Sequence, residues 1–349
     1  MKALALLEAR DHVCGRYRIR AFAPALHTAG WSLDVHGLAR GPLKRAFQLR
    51  KARDYDAVIL QRKLLPSWQW AILRKSSRRL IFDFDDAILY RDSYDRRGPH
   101  SARRASRFAR TVSEADAVLA GNDFLAETAI DDGAKPERVR VIPTCIEIDK
   151  YPPKTTSTNG PVRLVWIGSS STLKGLEIER SLFEDLGRAI PGLLLRVIAD
   201  RFPQFESLPV EPIAWNEANE ATDLAEADIG ISLLPDDLWS QGKCGLKVLQ
   251  YQASGLPVVA NPVGVHPKMI DPGRTGFLPI TAEAWISAIR SLANDPALRL
   301  AMGRAARANV EANYSVDAWS PAFVAAITGA RPSPAPKMGL SLARKVDAQ

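Results

Sequence analysis

Leu233-Leu-Pro235-Asp-Asp-Leu-Trp-Ser-Gln-Gly242-Lys243-Cys244-Gly245-Leu-Lys247-Val-Leu-Gln250-Tyr-Gln-Ala-Ser-Gly255-Leu-Pro257-Val-Val-Ala260 is the stretch on which the fold turns. An apolar strand ends at Pro235, and a loop carrying Gly242 and Lys243 leads into a helix expected over 245–254. Gly255 stops that helix, because only a residue without Cβ enters the left-handed turn freely, and Pro257 opens a second apolar strand. Lys243, Lys247 and Gln250 are spaced by about one helical turn, so they can share a face. Two ammonium groups and an amide at a helix start suit a diphosphate and a pair of ribose hydroxyls. A solvated lysine face is the alternative, weakened because a helix between two apolar strands is largely buried.

The same alternation runs outward in both directions. Strands are expected at 3–7, 32–36, 57–61, 80–84, 117–120 and 139–142, with helical periodicity at 18–29, 68–75 and 102–112. Apolar runs that do not alternate, separated by helices, point to parallel sheets covered on both faces. Pro152 to Pro161 is polar and broken by prolines and glycine, as a linker would be. The pattern then restarts, with strands at 163–167, 194–198, 229–233 and 258–260 and helices near 176–189, 217–225, 296–313 and 316–327. The expected division is a domain over 1–152, a linker over 153–161, a domain over 162–313, a closing helix over 314–330 and a disordered basic tail over 331–349. Tandem doubly wound α/β domains bind ligands at strand C-termini.

The composition, 46% apolar and 25% charged, is that of a globular chain and excludes disordered and fibrous classes. No apolar run approaches the ~20 residues of a membrane span. The apolar start at Met1–Leu7 meets Glu8, Arg10 and Asp11 too soon for a signal peptide. Cys14, Cys145 and Cys244 are scattered and lack metal-ligand spacing, so a reduced, cytoplasmic setting without structural zinc is expected. The net charge of +8 is concentrated: residues 40–110 hold 19 Lys/Arg against 7 Asp/Glu. Such a field attracts a polyanion.

Two further places carry chemistry. Trp166-Ile-Gly168-Ser169-Ser-Ser-Thr-Leu-Lys174-Gly175 breaks from a strand into glycine and hydroxyl residues before a helix. Backbone N–H groups, the helix dipole and Lys174 could hold an anion there, although a capped β–α turn reads similarly. Ile81-Phe-Asp83-Phe-Asp85-Asp86-Ala87 gathers three carboxylates at a strand C-terminus. A metal-binding Asp-x-Asp or a set of turn caps are the competing readings.

The run Ala253-Ser-Gly-Leu-Pro-Val-Val-Ala260, with Pro262-Val-Gly264 and Gly273-Arg-Thr-Gly-Phe-Leu278, resembles the C-terminal domain of family 4 glycosyltransferases. Ile167-Gly168 with Lys174-Gly175, Ala227-Asp228-Ile229-Gly230, Asp295-Pro296 with Met302-Gly303, and Tyr314-Ser315 extend the likeness over nearly all of 160–328. Arg16-Tyr17-Arg18, Ala115-Asp116-Ala117-Val118 and Val141-Ile142-Pro143 are compatible with it in the first half. The resemblance implies an α/β chain of the GT-B fold, two facing Rossmann-like domains with a C-terminal helix crossing back to the N-terminal domain. It also implies a nucleoside-diphosphate-sugar donor, no metal or other cofactor, and retention at the anomeric carbon.

Carried onto this chain, the resemblance puts the donor on Gly168, Ser169, Lys174, Gly242, Lys243, Lys247 and Gln250. Arg16 and Arg18 fall to the diphosphate or the acceptor, and Asp85 and Asp86, near the family's His-Asp pair, to catalysis. The chain departs from the family where two glutamates stand eight positions apart, having Gly242 and Gln250 there, and has Ser169 in place of the usual arginine. A catalytically inactive sugar-nucleotide or glycan-binding module is therefore the alternative to a transferase, and a nucleotide-sugar epimerase on the same fold a third. The basic segments 43–51 and 103–110 mix cations with apolar residues as a helix on an anionic membrane does. A glycan or lipid-linked acceptor at the inner face of the membrane is expected, and no specific nucleic acid.

Overall fold

A computed structural model of the chain describes residues 1–10, 13–155 and 160–330. The expected tail over 331–349 and residues 156–159 of the expected linker lie outside the described residues. The strands are β1 (Lys2–Leu7), β2 (Ser32–Gly37), β3 (Ala57–Gln61), β4 (Leu80–Phe84), β5 (Ala117–Ala120), β6 (Val139–Val141), β7 (Arg163–Ile167), β8 (Leu194–Ala199), β9 (Val210–Ala214), β10 (Ile229–Ser232), β11 (Val258–Ala260) and β12 (Gly276–Phe277). The helices are α1 (Val13–Arg18), α2 (Ala23–Thr28), α3 (Pro42–Arg50), α4 (Ser67–Ser76), α5 (Ala102–Glu114), α6 (Asp123–Asp131), α7 (Ser170–Ile178), α8 (Arg180–Ala189), α9 (Glu220–Ala225) and α10 (Leu238–Gln241). They continue with α11 (Leu246–Ala253), α12 (His266–Met269), α13 (Ala282–Asn294), α14 (Pro296–Asn313) and α15 (Val316–Thr328).

The chain forms two compact units, and it changes unit more than once. The first comprises Met1–Glu147, Pro235–Cys244 and the stretch from Val316; the second comprises Ile148–Leu234 and Gly245–Ser315. Each unit is built on a six-stranded sheet, in the orders β2-β1-β3-β4-β5-β6 and β12-β11-β10-β7-β8-β9. All pairings within both sheets are parallel. The central strands β3 and β4 are buried at every residue, while the edge strand β2 keeps no residue buried. That contrast explains the run of apolar residues in one and the polar alternation in the other.

In the first unit, Phe82, Phe84 and Phe108 anchor α5 to the sheet, with the Phe84 and Phe108 rings edge-to-face at 5.3 Å. The closing helix α15 packs on this same unit: Phe323 stacks on Phe22 at 4.3 Å. Arg79 donates to the carbonyls of Ala326 and Ile327, satisfying the end of that helix. In the second unit α14 lies against α11, and a Cβ on Gly303 would sit 1.9 Å from the Gly255 carbonyl oxygen. Glycine at 303 is therefore a packing requirement.

Several elements differ from the sequence expectation. The helix expected over 18–29 is broken into α1, a 3-10 turn over Arg20–Phe22 and α2, since Pro24 has no N–H to give to the preceding turn. The single helix expected over 176–189 is two, α7 and α8, joined at Glu179. β9 was not foreseen because Glu211 and Pro212 interrupt its apolar character, a pattern that only an edge strand tolerates. α11 begins at Leu246, one residue later than expected, because Gly245 is left-handed with φ of 64°.

Candidate active site

The site residues fall into two groups, one on each unit. In a parallel sheet the strand C-termini and their βα loops share one edge, and both groups lie on such edges.

In the first unit β3 ends at Gln61 and β4 at Phe84, so Arg62 and the Asp83–Asp86 run stand side by side. Asp83 is fully buried and receives the Arg18 guanidinium at 2.5 and 3.3 Å, with the Gln61 amide at 3.1 Å. Burial raises the Asp83 pKa, and Arg18 opposes that rise. Arg18 is 1% exposed and donates also to the Ile142 carbonyl. It braces Asp83 from inside the unit, where the sequence expected a side chain presented to a diphosphate or an acceptor.

Arg62 is the residue that sequence reasoning missed. Its φ of 55° makes it the one positive-φ position outside glycine among the described residues, a conformation that costs an L residue about 1–2 kcal/mol. Its Nε lies 3.4 Å from Asp85 Oδ1, and its terminal nitrogens donate to Asp86 and to Cys14 Sγ. Lys243 Nζ meets the other Asp86 oxygen at 2.9 Å. Burial would raise the Asp85 carboxyl, yet Arg62 and Arg18 outweigh it and hold it below the usual range. Asp85 Oδ1 is buried and accepts no hydrogen bond. Three carboxylates thus face three cations. Among the described residues no group of three or more His, Cys, Asp and Glu is placed to hold a metal ion. The signal for Arg62 was present in the sequence: it is the first residue after an apolar strand.

The loop that opens the quoted stretch is gripped by this unit. The Asn122 amide donates to the carbonyls of Gln241 and Lys243 at 3.1 and 3.0 Å. Gly242 is pressed on the loop after Asp86: a Cβ there would lie 2.6 Å from both the Cβ and the backbone nitrogen of Ala87. The glutamate that the family has at this position has no room. The shared helix face expected for Lys243, Lys247 and Gln250 does not form, because Lys243 precedes α11 and pairs with Asp86. Arg16, on α1, lies with its guanidinium 4.9 Å from the Tyr17 ring centroid.

In the second unit β7, β10 and β11 end at Ile167, Ser232 and Ala260. Gly168 is forced by space, since a Cβ would meet the Trp166 ring at 2.5 Å and Thr172 Oγ1 at 2.8 Å. Ser169 is the N-cap of α7 and its N–H donates to Thr172 Oγ1 at 3.3 Å. The next N–H, of Ser170, is taken by Asp200 at 2.6 Å. The Ser170 hydrogen bond lowers the Asp200 pKa. A carboxylate of the chain itself therefore sits at the helix N-terminus where an anion was expected. Lys174 is exposed on α7.

Lys247, in the first turn of α11, holds its ammonium 3.9 Å from the Trp166 ring centroid, a cation–π contact. Gln250, expected near a ribose, is 3% exposed and donates to the Tyr151 hydroxyl at 3.3 Å, which in turn meets Glu220 at 3.0 Å. His266 is buried, with Nδ1 2.8 Å from the Asn261 carbonyl and Nε2 3.1 Å from the Ser232 hydroxyl. A carbonyl only accepts, so Nδ1 carries the proton and Nε2 accepts from serine. Burial lowers the His266 pKa to about 4, so the ring is neutral near pH 7.

Residues 219–295 match the family profile described as Glycosyl transferases group 1. A D-inositol 3-phosphate glycosyltransferase of Streptomyces scabiei is 26% identical over 247 residues, 58% of this chain and 53% of the relative. The Streptomyces avermitilis protein of the same name is 44% identical over 69 residues, 19% of this chain and 15% of the relative. The chain thus spans about half or less of the length of these curated relatives. Among solved structures, sucrose-phosphate synthase from Thermosynechococcus elongatus superposes with a TM-score of 0.70 at 18% identity, over 92% of this chain and 96% of the other. Anabaena HepE in complex with UDP and glucose gives 0.67 at 15% identity, over 94% of this chain and 100% of the other. The profile match is confined to 219–295, and the solved structures share the chain's GT-B fold, with its two parallel α/β sheets.

Proposed function

We propose that the protein transfers a sugar from a nucleoside-diphosphate sugar to a glycan or lipid-linked acceptor, with retention and without a metal ion. The observation that carries this reading is the ion cluster of the first unit. Asp85 keeps a buried oxygen that accepts no hydrogen bond, and Asp86 is clamped between Arg62 and Lys243. An acceptor hydroxyl can donate to Asp85 Oδ1, and the ionised state of Asp85 is maintained by Arg62 and Arg18. On the donor side, Lys247 over Trp166 and Lys174 on α7 supply the positive charge for a leaving diphosphate. Positioning and preorganised charge then provide most of the rate effect. The UDP and glucose in the HepE complex support a nucleotide-sugar donor. Arg62 and Lys243 on the carboxylates support a metal-independent reaction. The cation excess over 40–110 supports work at the cytoplasmic face of an anionic membrane. Among the described residues no helix is long and apolar enough to cross a membrane.

The test is a panel of nucleoside diphosphates screened by thermal shift, since a ligand of the native state at a hundredfold excess over Kd adds about 2.7 kcal/mol. With the donor so identified, Lys247→Ala is expected to abolish turnover while its apo melting point stays near that of the parent. Undiminished turnover would remove Lys247 from the mechanism. The second reading, a sugar-nucleotide-binding module without turnover, is favoured by the closed space at Gly242 and by the engagement of Gln250 with Tyr151. Donor binding by calorimetry, with neither hydrolysis nor transfer over hours, is its expected result.

A further inference from the structure

Beyond the ion cluster, the first unit presents a second feature on the same edge of its sheet. α3 follows the C-terminus of β2 and α4 follows that of β3, so the first turns of both helices lie on the edge that carries Asp85 and Asp86. Leu43 and Phe47, one helical turn apart on α3, are 71% and 65% exposed, and Trp68 at the start of α4 is 46% exposed. The Gln69 amide donates to the Pro42 carbonyl at 3.2 Å, which sets Trp68 and Leu43 each one residue from that bond. The corner is rigidly held: Gln48 bonds both Gly37 and Ala39, at 2.8 Å each, and Arg45 bonds the Ala39 carbonyl.

Along the α3 segment that carries Leu43 and Phe47 the charge has one sign. Between Gly37 and Arg53 there are six cations and no carboxylate, whereas between Arg62 and Arg79 the residues Arg62, Lys63, Arg74 and Arg78 are paired with carboxylates. Lys44, Arg50 and Lys51 are exposed, and Arg50 lies 5.6 Å from the Phe47 ring centroid. Bulky apolar groups standing out of a cationic surface match the boundary between anionic headgroups and acyl chains. A soluble polyanion would be served by the cations alone, with no use for exposed leucine, phenylalanine and tryptophan.

We propose that the α3–α4 corner docks on an anionic lipid bilayer. Leu43, Phe47 and Trp68 enter the headgroup–acyl boundary, and Lys44, Arg50 and Lys51 pair with lipid phosphates. This rests on the reading of a transferase at a membrane surface and deepens it. A corner on the rim that carries Asp85 and Asp86 brings a lipid-linked acceptor to the carboxylates without lifting it from the bilayer.

The test is flotation of the full chain with vesicles of phosphatidylglycerol and phosphatidylcholine, against phosphatidylcholine alone. Binding is expected only with the anionic lipid. The Leu43→Ser/Phe47→Ser variant should lose at least about tenfold in partition, and each of Lys44→Gln, Arg50→Gln and Lys51→Gln about fivefold. Ile280→Ser, at an 81% exposed residue of the second unit, should leave partition unchanged. Transfer to a water-soluble acceptor and the melting point should be the same in all variants. Anionic binding that survives the corner substitutions overturns the corner and leaves the membrane reading standing. No binding to either vesicle overturns both. A change from dimer to monomer in Leu43→Ser/Phe47→Ser, with partition unaltered, assigns the surface to a second copy and overturns the proposal. So does tight binding to duplex DNA that is lost with the cations while partition is unaltered.

Discussion

Replacing Arg62 by alanine, glycine and lysine separates two contributions of opposite sign. Arg62 is 18% exposed on its side chain, and it neutralises Asp85 and Asp86. Removing one partner of a buried ion pair costs about 3–5 kcal/mol. Lys243 remains on Asp86 and the site is partly wet, so about 2–3 kcal/mol is expected for Arg62→Ala. The backbone works the other way. At φ of 55° a residue with Cβ is strained by about 1–2 kcal/mol, which alanine keeps and glycine relieves. Glycine loses about 0.4–1 kcal/mol through the greater freedom of the unfolded chain, so Arg62→Gly should be more stable than Arg62→Ala by about 0.5–1 kcal/mol. In strands and helices the order of these two is reversed.

Urea unfolding with hydrogen exchange at the β4 amides reports on the first unit separately, which matters because a chain with two cores need not unfold in one step. The pH dependence gives a second reading of the same pair. Asp85 has a depressed folded pKa, so its pairing contributes stability above the unfolded value near 3.9 and loses it as pH falls through the folded value. The gap between the parent and Arg62→Ala should therefore be full at pH 7 and narrow below about pH 4. Lysine should restore part of the charge and none of the backbone relief. An alanine variant as stable as glycine, or a gap that does not change with pH, would refute the assignment of Arg62 as a strained clamp on Asp85 and Asp86.

Gly242→Ala drives a methyl group into Ala87 and should cost about 1–3 kcal/mol by urea unfolding. Gly242→Glu, which rebuilds the family pattern, should lose more stability and gain no turnover; a more active Gly242→Glu protein would contradict the packing described. His266 refuses a proton in the folded state that the unfolded chain accepts below about pH 6.5. Stability should therefore fall as pH drops from about 6.5 to 4, by at most about 1.4 kcal/mol per pH unit and about 3 kcal/mol in all. His266→Gln should flatten that part of the stability profile, and a profile identical to the parent would mean that the ring titrates normally.

Much of the architecture is legible without coordinates. Of the twelve strands among the described residues ten are expected from the sequence, most directly the core strands such as Ala57–Gln61 and Leu80–Phe84. The two that escape are β9, broken by Glu211 and Pro212, and β12, only two residues long. Both are edge strands, and the proline of one and the shortness of the other leave little in their composition to mark them. The glycines of the quoted stretch are equally legible where the cause is local. Gly255, with φ of 72°, closes α11 as expected, whereas Gly245, with φ of 64°, stands just outside the helix that the sequence would start on it.

The site residues divide along the same line. Lys174 and Ser169 lie where the β–α turn puts them, since a capped helix after a strand is a short-range structure. Residues whose partners come from distant parts of the chain could not be ranked from spacing alone. Gln250 has the right side chain for a ribose and is drawn into the core by Tyr151, 99 residues away. Arg18 has the right charge for a phosphate and is held by Asp83, 65 residues away. Lys243 was read with the helix that follows it, yet the first unit holds it through Asp86 and Asn122.

Gly242–Pro257 therefore remains the clearest point of resemblance to the family, because its turn and helix follow from near neighbours. What its side chains do was set by burial and by ion pairs closed across the chain. A lysine next to a carboxylate and a lysine over an indole are the same letter in the sequence, and only tertiary packing tells them apart.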